Sequence, residues 1–148
     1  MVTIAAKVGI ISCSGEDLCE GTISRLATRK ALEELRPGRT VTICLPLFLA
    51  GGEEERSFAR SFPTIAVDGC PKACARRGTE MHSGPVGAAL VVTDLLAEAG
   101  QKLSGEVSDR RLNAGDLAAV DLVAEAIVAE VDRLWASRPI VELAEGDA

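Results

Sequence analysis

The chain has 148 residues, 47% of them hydrophobic, which is enough to bury the core of one domain (residues 1–148) without help from disulfides. With aromatic residues at only 3% and no Tyr, that core must be built from Val, Ile, Leu and Ala, which favours buried strands and Ala-rich helices. A formal net charge of −6, with no Lys/Arg run interleaved with aromatics, excludes a nucleic-acid surface.

The N-terminal apolar stretch, residues 2–11, is interrupted by Lys7 and has neither the length nor the cleavage pattern of a signal peptide. The longest later apolar run, residues 86–92, falls far short of a membrane span, so no membrane partner is expected. A cytoplasmic location follows as the expectation. Thiols stay reduced there, and the odd count of five cysteines agrees with metal binding or chemistry rather than disulfides.

Residues 5–11 form a near-continuous apolar run that stops at Ser12-Cys13-Ser14-Gly15, the pattern of a strand buried on both faces. Helical spacing of Ile23, Leu26, Ala27, Ala31, Leu32 and Leu35 predicts a helix over 20–35, ended by Pro37-Gly38. Residues 40–45 read as a second strand ending at Pro46. Gly51-Gly52 opens a short helix over 53–61, whose first-turn glutamates suit the positive end of the helix dipole.

Residues 64–67 make a third strand, followed at once by Asp68-Gly69-Cys70-Pro71. Pro71 suits the first position of a helix running to Arg77. A fourth strand is expected over 87–93 and a polar loop over 101–115. The last helix starts near Asp116, carries Leu117, Val120, Ala124, Ile127, Val131 and Leu134 on one face, and ends at Pro139. Alternating strands and helices imply an α/β fold: a mostly parallel sheet of about four strands with helices on both faces, flavodoxin- or Rossmann-like.

Three of these strands deliver a cysteine at their carboxyl ends: Cys13, Cys44 and Cys70. Open parallel sheets bind ligands outside that edge, where the strand order reverses, and an order of 2-1-3-4 makes the three ends neighbours. Cys74 follows Cys70 at i+4, so a helix starting at Pro71 would project both sulfurs from one face. The four thiols form a candidate metal site. Zinc favours thiolates in tetrahedral arrays, while an iron–sulfur cluster would use the same ligands. Four thiolates on one zinc leave a charge of about −2, which Lys72, Arg76, Arg77 and the helix dipole would offset, although the two arginines read equally well as solvated charges.

Other residues carry weaker signals. Cys19 and Arg25 have the Cys-x-x-x-x-x-Arg spacing of a cysteine phosphatase loop, but no strand leads into Cys19 and acidic Glu16-Asp17 precede it. His82, the single histidine, reads as a loop residue. Asp68 has three available roles: capping the next helix, hydrogen bonding to the site, or acting as an acid. Thr93 and Asp94 are expected at the end of the fourth strand, lining the cleft or capping the following turn.

Through Cys13-Ser14-Gly15, Cys44-Leu45-Pro46, Gly51-Gly52 and Asp68-Gly69-Cys70-Pro71-x-x-Cys74, most of the chain resembles the DGC-domain family, described as zinc-binding. The resemblance implies zinc chelation by Cys13, Cys44, Cys70 and Cys74, leaves Cys19 outside the pattern, and implies no reaction. Three roles then compete. Zinc could cross-link strand ends structurally, it could hold thiolates for sulfur or alkyl transfer with a small-molecule thiol, or the domain could be a metal or iron–sulfur carrier that reports metal or redox supply to a partner protein.

Overall fold

The computed structural model describes residues 2–5, 7–15, 17–103, 111–138 and 140–143. The elements in chain order are β1 (Val2–Ala5), β2 (Val8–Ser12), α1 (Cys19–Lys30), β3 (Thr40–Thr42), α2 (Leu45–Ala50), α3 (Glu53–Arg56), α4 (Phe58–Ser61), β4 (Thr64–Asp68), α5 (Cys74–His82), β5 (Ala88–Val91), α6 (Val92–Ala99), α7 (Leu117–Ala136) and β6 (Ile140–Leu143).

Strands β3-β2-β4-β5 form a wholly parallel sheet in that order, which is the expected 2-1-3-4 arrangement. Alternate side chains of the strands feed two cores. Val8, Ile10, Ile65 and Val67 pack with α1, α6 and α7, whereas Ile11 and Ala66 pack with Leu45, Phe48, Phe58 and Ala75 on the other face. Cys13 belongs to the second core. Helices therefore cover both faces, as a parallel sheet requires.

Several element boundaries differ from expectation. The first apolar run is divided: β1 pairs antiparallel with β6 in a separate two-stranded sheet, and the parallel sheet begins only at Val8, after the exposed Lys7. The helix over 20–35 is α1, finishing as a π-helical segment (Ala31–Leu35) in which the Arg36 N–H bonds the Ala31 carbonyl at 2.8 Å. The strand predicted over 40–45 stops at Thr42. Leu45 instead opens α2, where Pro46 sits in the first turn at no cost in hydrogen bonds, and Leu45 and Phe48 are buried at i, i+3 spacing.

Ser57 divides the helix over 53–61 into α3 and α4. The fourth strand gives way to α6 at Val92, which puts Thr93 and Asp94 in a helical first turn. On α7 the predicted stripe is buried from Val120 to Leu134, while Leu117 is 50% exposed. Within the 101–115 loop, residues 104–110 lie outside the described residues, as does Pro139. Among the described residues, no helix is long and apolar enough to cross a membrane.

Candidate functional site

Cys13 follows β2 directly, and its N–H continues the ladder by bonding the Val67 carbonyl at 2.9 Å. Its side chain is buried, and Sγ accepts the Gly69 N–H at 3.3 Å. Sγ also lies 3.4 Å from the Ser24 hydroxyl, which itself donates to the Gly21 carbonyl at 2.6 Å. Ser24's only hydrogen is thereby committed, so a protonated Cys13 is the donor in that contact. The backbone N–H of Gly69, by contrast, donates to the sulfur in either protonation state.

Cys44 bridges β3 and α2 in extended conformation and is exposed; its carbonyl accepts the Phe48 N–H at 3.0 Å. Cys70 is half-buried and opens a tight turn, closed by the Ala73 N–H on the Cys70 carbonyl at 3.1 Å. Cys74 is exposed and is the first residue of α5.

The helix expected from Pro71 thus starts three residues later, and Cys70 and Cys74 do not share a helical face. Two features delay it. Ala73 takes a left-handed conformation (φ 52°), and the buried Asp68 carboxylate accepts the Ala75 and Arg76 N–H groups at 2.7 and 3.1 Å, fixing the helix start. Of the roles open to Asp68, the structure shows capping. Burial pushes its carboxyl above the ordinary value, opposed by those two N–H bonds and by Arg76. Asp68→Ala should cost about 1–2 kcal/mol in urea denaturation, the usual loss for an N-terminal cap, whereas Asp68→Asn, which keeps one acceptor oxygen, should lose less.

Two adjacent cavities open on this edge. One, of about 260 Å³, is lined by Cys13, Cys70 and Cys74 together with Asp68; the other, of about 240 Å³, is lined by Cys13 and Cys44, and Leu45 borders both. All four predicted cysteines therefore lie at the carboxyl edge, with Cys13 shared between the cavities. Among the described residues, however, no three His, Cys, Asp or Glu side chains are gathered closely enough to hold a metal ion. The donors suit zinc in kind, four sulfurs around the ends of neighbouring strands, without being drawn into a closed shell.

A family model for the DGC domain matches residues 9–120, which takes in every one of these elements from β2 to the start of α7. The chain belongs to the DGC-domain family. No curated protein and no solved structure matches it.

In this DGC domain the remaining sequence candidates are dispersed. His82 closes α5 rather than lying in a loop, and Asp94 is exposed. The Thr93 N–H bonds the Gly69 carbonyl at 3.3 Å, so α6 buttresses the Asp68-Gly69-Cys70 loop through its backbone. Arg76 is exposed and pairs with Glu80 at 3.2 Å. Sequence reasoning missed Thr28 and read Arg25 only with Cys19; both line the smaller cavity with Arg29 and Leu32. Their spacing of i, i+3, i+4 and i+7 is a helical stripe beside the apolar one, and it was the available signal.

Proposed function

We propose that this DGC domain binds one zinc ion through Cys13, Cys44, Cys70 and Cys74, in the cytoplasm, and uses the centre for thiolate chemistry with a small-molecule thiol or electrophile, such as sulfur or alkyl transfer. The observation that carries this reading is accessibility: Cys44 and Cys74 are exposed and Cys70 half-buried around open cavities at the ligand-binding edge of the sheet. A purely structural four-cysteine site is closed.

Bound zinc would keep cysteine thiolates deprotonated and nucleophilic at neutral pH. The protein's own groups then have distinct tasks. Cys13 would be the buried anchor, its sulfur accepting the Gly69 N–H. Asp68 fixes the start of α5 and with it Cys74. Cys44 and Cys74 are the thiols that a small molecule reaches from solvent.

Serine at Cys13, Cys44, Cys70 or Cys74 should lower zinc content well below one per chain in anaerobically purified protein, whereas Cys19→Ser should leave it unchanged. Equal loss in all five variants would refute the ligand choice, and absence of metal from the native protein would refute the metal reading. Visible charge-transfer absorption would reassign the centre to iron–sulfur. Retention of metal by Cys74→Ser alone would mean three cysteines and an open position.

A further inference from the structure

Strand β5 ends the parallel sheet, and its outer edge meets no other strand among the described residues. Every residue of the neighbouring β4 is buried, whereas in β5 Ala89 is exposed and Ala88, Leu90 and Val91 are only half-buried. The N–H and C=O groups along such an open side are a template for a further strand. At the opposite edge that template is blunted, because β3 has only three residues and two of them are threonine. β5 carries no such device. No Pro, Lys or Glu interrupts Ala88-Ala89-Leu90-Val91, and no Asp, Glu, Lys or Arg occurs between Glu80 and Asp94.

The charges at the two ends of β5 select the strand that fits. Arg133 on α7 stands at its start, where Nη2 donates to the Gly87 carbonyl at 2.9 Å. Arg133 is exposed and also pairs with Glu130 at 2.6 Å, while its Nη1 has no hydrogen bond among the described residues. Asp94 stands at the other end, exposed in the first turn of α6. Both helices pack on the same face of the sheet.

A contact between two copies across a two-fold axis needs a patch that complements itself. An axis perpendicular to the sheet keeps its faces and reverses the strand, so Arg133 of each copy falls on the side of the partner's Asp94. Parallel pairing would instead set like charges together. The uncharged stretch 81–93 then lies against its own copy without repulsion, in a chain whose net charge of −6 otherwise opposes association. The exposed Gly87 and Ala89 are small and hold nothing away from the edge.

We infer that two copies of this chain pair their β5 strands antiparallel across such an axis, joining their parallel sheets into one continuous sheet. This interface is independent of the zinc reading.

The test is sedimentation of the native protein from about 1 to 300 μM, a range that spans weak to moderate dissociation constants, with hydrogen exchange measured at both ends of the range. The protein should pass from monomer to dimer, and β5 amides should gain protection as it does. Ala89→Lys, at an exposed position of the edge, should abolish the dimer and leave zinc content unchanged. Asp94→Arg and Arg133→Glu should each raise the dissociation constant about tenfold, since the two-fold axis repeats every lost pair. The double variant, with the charges exchanged, should recover most of the affinity.

A monomer throughout the range would overturn the inference and leave the edge to a strand of another protein. A dimer without added protection in β5, or one indifferent to Ala89→Lys, would place the interface elsewhere and overturn it equally. Failure of the charge exchange to restore any affinity would refute the antiparallel register.

Discussion

On the zinc reading proposed above, treating the native protein with a chelator at neutral pH should lower its melting temperature by about 8–16 °C without unfolding it at 25 °C. A ligand bound only by the folded state stabilises it by about 4 kcal/mol when present at a thousandfold excess over its dissociation constant, and each kcal/mol moves the midpoint of a chain near this size by about 2–4 °C. The fold should survive because its two cores do not depend on the thiols. Ile10, Ile65, Val123 and Ile127 are fully buried on one face of the sheet and Phe48 on the other. Such a result would separate the domain from small zinc modules that are unfolded without metal.

Calorimetric melts before chelation, after it, and after zinc is restored would check both the shift and its reversal. Cys13→Ser should reproduce most of the loss, since Cys13 is the buried member of the set. Confirmed zinc removal with an unchanged midpoint would show that metal binding is not coupled to folding.

The sheet and its cysteine-bearing edge were legible because β2 and β4, buried on both faces, are apolar runs that lead directly into Cys13 and Asp68-Gly69-Cys70. What escaped were helices that begin without a pause after a strand. Leu45 reads as the end of β3 because the run Leu45-Pro46-Leu47-Phe48 masks an i, i+3 repeat, and Val92 reads as β5 because valine suits either structure. At α5 the preference of proline for a first helical turn lost to a side chain six residues before the helix: the Asp68 carboxylate is a tertiary cap that local spacing cannot reveal. The pairing of β1 with β6 joins residues 2–5 to 140–143, a contact beyond any windowed pattern.

The wall of the smaller cavity escaped for a related reason. Arg25 was read only through its spacing from Cys19, whereas its neighbours in space are Cys13 and Cys44, brought beside it by the return of the chain through β3.

Gly69→Ala should cost about 3 kcal/mol, the upper end for overpacking a tight contact, and should weaken zinc binding as well. A Cβ at Gly69 would lie 2.6 Å from the Gly21 nitrogen and 2.8 Å from both the Glu20 carbonyl carbon and the Gly21 Cα. These are backbone atoms of the first turn of α1, which cannot turn aside as a flexible side chain would. Nor can that turn retreat easily, because Gly21 is itself pressed against Gly15: a Cβ at Gly21 would stand 2.3 Å from the Gly15 Cα. Three glycines thus let the loop after β2, the start of α1 and the loop after β4 meet backbone to backbone, and the same contact carries the Gly69 N–H to the Cys13 sulfur. Moving the loop by the few tenths of an ångström that a methyl group demands would lengthen that bond and displace Cys70 beside it.

Gly21→Ala offers a sharper contest. Alanine should gain up to about 1 kcal/mol of helix propensity at this position, yet the collision with Gly15 should outweigh it and leave a net loss. Gly84→Ala is the control, since its nearest neighbour would be Arg60 Cγ at an ordinary 3.6 Å, and it should fall within about 0.5 kcal/mol of the native protein. Urea denaturation with a common slope would rank the three variants, and a Gly69→Ala midpoint equal to that of Gly84→Ala would mean that this backbone contact does not constrain the thiol edge.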